Sequence, residues 1–340
     1  MEFTKNLLIV AVITAIFFGI GFGGATGVSA EPPKMNFLAS SFGTSSYILG
    51  VAYEDISKRF YPDLIFNMRE TPGLIYNLKK LATLTPEEKK ETIITAYDGL
   101  TWLAVRGKSP FKKKLTMKIK MLCAPPALTT YFMTKNPDIR TIEDLEGKKV
   151  AVGKKTQLGW GQHPKAYLYE GAGLEGKVKL QFVGLKHALS AFKDNLVDAM
   201  ASGAYVNPIT YDLILDPQTD EILSIGQKVY FLSPGNDAAI KRIEAVTGLS
   251  HTITIPPGKI KFQERPIIAN LGMTYYAGAE ELREEAAYHF VKMMITNVDK
   301  LRKYHALGKL MTRESLVYGM TKENLHSGAY RAFKEAGLIE

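Results

Sequence analysis

The sequence predicts an α/β protein of two lobes, each built on a mostly parallel sheet covered by helices. Three observations lead there. Strand, loop and helix alternate twice between residues 35 and 81, the pattern of strands joined by helical crossovers. A second block of the same kind begins near residue 141. Past the first thirty residues the chain keeps about 310, which exceeds one hydrophobic core and suits two domains of about 150.

The elements follow in order. Residues 7–20 are an apolar run broken only by Thr14 and Gly19, with Lys5 before it and Val28-Ser29-Ala30 after it. A run this short, ending in a small-x-small site, predicts a cleavable leader over residues 1–30 rather than a membrane span. The mature chain from Glu31 is then exported and soluble. Cys123, the only cysteine, lies far from the cleavage site, so no lipid tether and no internal disulfide are expected. This points to the periplasm.

Residues 35–39 read as a strand. Ile48, Ala52 and Ile56 then recur every four residues, giving a helix capped by Ser45 or Ser46 and ended by Pro62. Residues 64–68 are a second strand, and Thr71-Pro72 opens a helix with Thr71 as N-cap. Thr85 and Glu88 form a capping box. Residues 92–96 are strand-like, and Tyr97-Asp98-Gly99 turns the chain. Residues 117–123 and 129–133 are further strands on either side of Pro125-Pro126, where the chain is expected to cross between lobes. Residues 153–163 read as a polar loop before a helix from Pro164 to Gly171. Ala188, Leu189, Phe192 and Leu196 mark another amphipathic helix. Residues 267–276 read as one strand and 280–296 as a long helix. Lobe 1 is then 31–123 plus 266–340, and lobe 2 is 124–265.

Composition narrows the function. With 46% apolar and 23% charged residues, the chain is globular rather than disordered. The net charge of +9 favours anionic partners, yet the lysines are scattered apart from Lys112-Lys113-Lys114 and Lys148-Lys149, and no nucleic-acid motif accompanies them. A phosphate loop near Gly153 fails, because Val152 stands where a glycine is required and Lys155 where a hydroxyl is required. The six histidines have no metal-ligand spacing, and no G-x-S-x-G elbow is present. No metal, no cofactor and no catalytic residue are therefore expected.

What remains is a set of polar loops at the C-terminal ends of predicted strands, where α/β sheets bind ligands and helix N-termini offer free N–H groups. The first contains Ser41, Gly43, Thr44, Ser45, Ser46 and Tyr47. The second contains Thr71, and the third Tyr97 and Asp98. The fourth contains Lys155, Thr156, Gln157 and Trp160.

In their order these segments resemble the TAXI family, the solute-binding proteins of TRAP transporters. Ser41 to Tyr47 resembles that family's G-x-x-G-T-Y-Y stretch, and Thr71-Pro72-Gly73-Leu74 with Asn77-Leu78 its T-G-G-S and N-L. Residues 142–153 are similar to I-x-x-L-x-G-K-x-V-x-V-G, residues 191–199 to A-L-x-x-G-x-x-D-A, and residues 255–260 to I-P-x-G-x-Y. His326-Ser327-Gly328-Ala329 resembles the terminal H-P-G-A. The resemblance implies a type II periplasmic binding protein, a monomer that traps a small, carboxylate-bearing organic solute between its lobes. Ser41 to Tyr47, Thr71, Tyr97 and Asp98 would form one wall. Lys155, Thr156, Gln157, Trp160 and Tyr205 would form the other. It further implies delivery to a TRAP-type membrane permease. A binding subunit of an ABC importer or of a sensor system, a secreted enzyme with a cleft active site, and a basic protein for lipid or nucleic acid remain as alternatives.

Overall fold

The computed structural model describes residues 31–42 and 44–340. The expected leader and Gly43 lie outside the described residues.

The first sheet takes β1 (Lys34–Leu38), β2 (Ile65–Arg69), β3 (Thr92–Tyr97), β4 (Ile119–Cys123) and, from far along the chain, β13 (Thr274–Ala279). Their order is β2-β1-β3-β13-β4. The second sheet takes β5 (Ala127–Thr134), β6 (Lys149–Val152), β7 (Lys179–Phe182), β8 (Ala199–Val206), β9 (Leu213–Leu215), β10 (Tyr230–Leu232), β11 (His251–Ile255) and β12 (Ile267–Gly272). Its main path is β11-β12-β5-β8-β6-β7, with β10 on β5 and β9 on β8.

Both sheets are mixed, not mostly parallel. β1 runs parallel to β2 and β3, and β6 parallel to β7 and β8, as helical crossovers require. The strands that enter from the other lobe or through tight returns are antiparallel: β13 to β3 and β4, β5 to β8, and β12 to β5 and β11.

The chain crosses at residues 124–126, where Pro125-Pro126 stood out in the sequence. The chain returns to the first sheet at Met273, between β12 and β13. The single strand read over 267–276 is two strands in different sheets, because the apolar pattern runs unbroken through the crossing.

The first lobe carries α1 (Ser45–Phe60), α2 (Leu74–Thr83), α3 (Pro86–Lys89) and α4 (Asp98–Arg106). Thr44, not Ser45 or Ser46, caps α1 and accepts from the Tyr47 N–H at 3.3 Å. Gly73, at φ +131°, and not Thr71, precedes α2, with no side chain on its free N–H groups. The Thr85–Glu88 capping box is present at α3. Where a turn was expected at Tyr97-Asp98-Gly99, α4 begins at Asp98. The second lobe carries α5 (His163–Ala166) inside a longer helical run, with π turns at Leu158–Gln162 and Tyr167–Gly171. The polar loop expected over 153–163 is thus a loop over 153–157 and helical from Leu158 onward. α6 (Leu185–Lys193), α7 (Pro217–Ser224) and α8 (Asp237–Thr247) complete that lobe. α9 (Glu284–Tyr304) and α10 (Ser327–Glu335) return to the first core.

That core is aromatic. Phe66 stacks on Phe290 with ring centres 5.5 Å apart, and Tyr53 and Tyr276 share a buried hydroxyl contact at 2.8 Å. The second sheet buries Tyr131, Phe192 and Met200 on one side and Phe132, Tyr167 and Leu168 on the other.

Two ties brace the crossings. Behind them, Asn207 donates to the Leu310 carbonyl at 3.0 Å. At the return crossing, Asp98 N–H donates to the Met273 carbonyl at 3.0 Å, and Met273 N–H donates to Asp98 Oδ2 at 3.2 Å. Among the described residues, no helix is long and apolar enough to cross a membrane.

Candidate binding cleft

A cleft of about 740 Å³ opens between the sheets, within the usual range for small-molecule sites of roughly 300–1,000 Å³. On the first-lobe side, the starts of α1 and α2 reach it. Thr44, Ser45 and Ser46 come from one helix, and Gly73, Leu74 and Ile75 from the other. Both helices present first-turn N–H groups, whose partial positive charge favours an anion. Ser46 is buried and shares a hydrogen bond with Thr95 at 2.5 Å. Lys79, one helical turn further along α2, is the only charged side chain among the described residues lining this cleft.

The second-lobe wall is Thr156, Gln157, Leu158, Gly159 and Trp160, backed by Leu128 and Tyr205. Its shape depends on glycine. A Cβ on Gly161 would lie 2.2 Å from the Lys154 carbonyl oxygen, so only glycine lets the turn fold back on itself. A Cβ on Gly203 in β8 would lie 2.9 Å from the Trp160 ring, which therefore rests directly on the strand. Gln157 is held by its Oε1, which accepts from the Lys154 N–H at 2.8 Å.

Two contacts join the walls. The Tyr205 hydroxyl comes beside Ser45, and burial raises the Tyr205 pKa. Tyr97 and His163 share a hydrogen bond at 3.3 Å with their rings stacked 5.5 Å apart. Burial pushes the Tyr97 hydroxyl well above its ordinary value and His163 down to about 3, so both are neutral near pH 7.

Of the residues singled out from the sequence, the structure brings Thr44, Ser45, Ser46, Tyr97, Thr156, Gln157, Trp160 and Tyr205 to this cleft. Gly43 is outside the described residues, and Ser41, Tyr47, Thr71, Asp98 and Lys155 lie off the cleft. Ser41 is exposed, and its carbonyl accepts from the Thr44 hydroxyl at 2.7 Å. The Tyr47 ring packs edge-on against Phe42. Thr71 is buried and donates to the Ala39 carbonyl at 3.4 Å. The Asp98 carboxylate is spent on the Gly99 and Met273 N–H groups. Its pKa is raised to about 7 because desolvation outweighs those bonds. Lys155 lines a neighbouring chamber and lies over the Phe182 ring.

Sequence reasoning missed Lys79, Tyr76, Thr95, Thr274 and His163. An exposed tyrosine in the first turn after Thr-Pro-Gly was a usable sign for Tyr76. Nothing local marked His163, whose role depends on a ring from the other lobe.

The fold is that of two-lobe periplasmic binding proteins of type II. The chain is similar to the periplasmic sulfonate-binding protein SsuA of a putative sulfonate ABC transporter from Methylobacillus flagellatus KT. The TM-score is 0.51 and the identity 11%, over 91% of this chain and 96% of that one. It is also similar to MatC from Rhodopseudomonas palustris with bound malate, at TM-score 0.48 and 10% identity over 90% and 97% of the two chains. The periplasmic aliphatic sulphonate binding protein SsuA from Escherichia coli matches at TM-score 0.45 and 16% identity, over 89% and 79%. A search of the curated proteins gave no match. A family model matches residues 37–337, nearly the whole described chain, and on that match the protein belongs to the NMT1-like family.

Proposed function

We propose that this protein is a periplasmic solute receptor that holds a small, carboxylate-bearing organic solute in the cleft between its lobes and passes it to a membrane permease. The observation that carries the reading is the composition of the two walls. One offers helix N-termini, hydroxyls and Lys79, and the other offers Trp160 and Tyr205 to cover what those groups hold. The positive wall suits a carboxylate head, and the aromatic wall suits an organic body. Narrow crossings at residues 124–126 and 273 suit hinge closure, in which a ligand favours the shut form by touching both walls at once. The protein acts by binding and release rather than by chemistry.

The permease is of the TRAP type on the resemblance of the loop series to the TAXI family. An ABC importer is the second reading, favoured by the likeness to SsuA of a putative sulfonate ABC transporter from Methylobacillus flagellatus KT.

Native mass spectrometry of freshly purified protein tests the receptor reading. The expected result is a co-purified organic acid that leaves intact on unfolding. Release of a chemically altered molecule, or no affinity for any organic acid in a binding screen, overturns it. Uptake into vesicles carrying the neighbouring membrane subunits separates the partners: a sodium gradient drives a TRAP permease and ATP drives an ABC importer.

A further inference from the structure

Beside the cleft lies a second chamber of about 430 Å³. Ile75, Leu100, Thr156 and Leu158 line both spaces and form the neck between them. The partition is the Tyr97–His163 pair: Tyr97 faces the cleft and His163 faces the chamber. His163 is 2% exposed. Its Nδ1 is taken by Tyr97, while its Nε2 finds no partner among the described residues. A buried polar atom left unpaired is a cost to the folded chain, which a ligand atom would recover. Glu170 also lines the chamber, and its buried Oε2 is likewise unpartnered. Leu103, Pro110 and Ala166 supply apolar surface around them.

We propose that this chamber is a second subsite of the solute pocket, taking the far end of an elongated ligand whose apolar stem passes the neck and whose tip is a hydroxyl or a primary carboxamide. The tip chemistry follows from the unpaired atoms. When the Tyr97 hydroxyl donates to Nδ1, Nε2 of neutral His163 carries the proton and needs an acceptor. In the opposite arrangement Nε2 accepts. Glu170 Oε2 offers an acceptor in the same space. A group that both donates and accepts satisfies either arrangement, whereas a bare methyl satisfies neither. The chamber's two orphaned atoms thus select the tip, and Lys79 with the helix starts selects the carboxylate head.

The inference rests on the receptor reading, and calorimetry on the purified, dialysed protein separates the two. The probes are unbranched alkanoates of increasing length and the matching ω-hydroxyalkanoates. Once the stem spans the neck, the hydroxy acid is expected to bind about tenfold more tightly than the plain acid of equal length. In His163→Phe that ratio is expected to fall to about one. Val246→Trp, a change at a 40% exposed position on the chamber rim, keeps the test open if His163→Phe does not fold. It is expected to remove the advantage of the long hydroxy acids by filling the space. Acids that bind with no hydroxyl advantage, or an advantage that survives both substitutions, overturn the subsite and leave the receptor reading standing. No binding of any acid overturns both.

Discussion

The first-lobe wall of the cleft is made of helix starts on regular elements. Thr44 closes the first turn of α1, Gly73 leads into α2, and Ser46 is fixed to Thr95 on the neighbouring strand. The facing wall is made of turns that follow no single helical period. The π turn Leu158–Gln162 passes into α5 and then into a second π turn, and the Trp160 ring is seated where Gly203 leaves room for it. The first wall needs hydroxyls and N–H groups, which many residues supply once a helix begins there. The second needs an absence of side chain at Gly161 and Gly203. One wall is therefore tolerant in sequence, and the other depends on two particular glycines.

Substitution tests that contrast. Gly203→Ala is the most damaging, because the new methyl lies 2.5 Å from the Thr129 carbonyl oxygen as well as against Trp160. Overpacking of this kind costs about 2 kcal/mol. Thermal unfolding is expected to show the loss, along with release of bound solute, and an unchanged melting temperature would dissolve the distinction between the walls. Ser46→Ala removes one partner of a buried hydroxyl pair and is expected to cost about 1 kcal/mol. A cost equal to that of Gly203→Ala would show the first wall to be no more tolerant than the second.

The last effect is one of sign. Asp98 has its pKa raised to about 7 in the folded chain, from an ordinary 3.8. Between these values the folded state holds the proton that the unfolded state has released, so this group's contribution is full below pH 3.8 and lost as pH rises through 7. His163, lowered from 6.5 to about 3, works oppositely, since its unfolded form takes up a proton first as pH falls. Melting curves of Asp98→Asn against the parent isolate the first term. The parent is expected to lose ground to the variant as pH rises from 4 to 7, and a constant difference would refute the raised value.

Much of the first lobe's secondary structure was legible in the sequence. Apolar residues four apart announced α1, and Thr85 with Glu88 announced α3, because both signals are local. The start of α4 was read as a turn because Asp98-Gly99 is a common turn pair. Leu100 and Ala104 nevertheless repeat at helical spacing and are buried on one face. The strand over 267–276 concealed a crossing because each half is apolar for its own sheet. Gly272 was the one hint, since a Cβ there would lie 1.7 Å from the Tyr97 hydroxyl oxygen. Residues 153–163 read as loop because three glycines are poor helix formers, and contacts with β8 and the first lobe override that preference from Leu158 onward. His163 and the chamber were invisible, since both arise only when distant segments meet.

The double grip of Asp98 on Met273 has a mechanical corollary. A peptide fastened on both its N–H and its carbonyl to one residue of the adjoining lobe can neither lengthen nor slide. Travel of the outer rims must then come from twisting about two short straps, which fixes the axis of motion before any guest arrives. A single spacer residue inserted beside Met273 would leave each half intact and turn a jaw with one stroke into a loose tether.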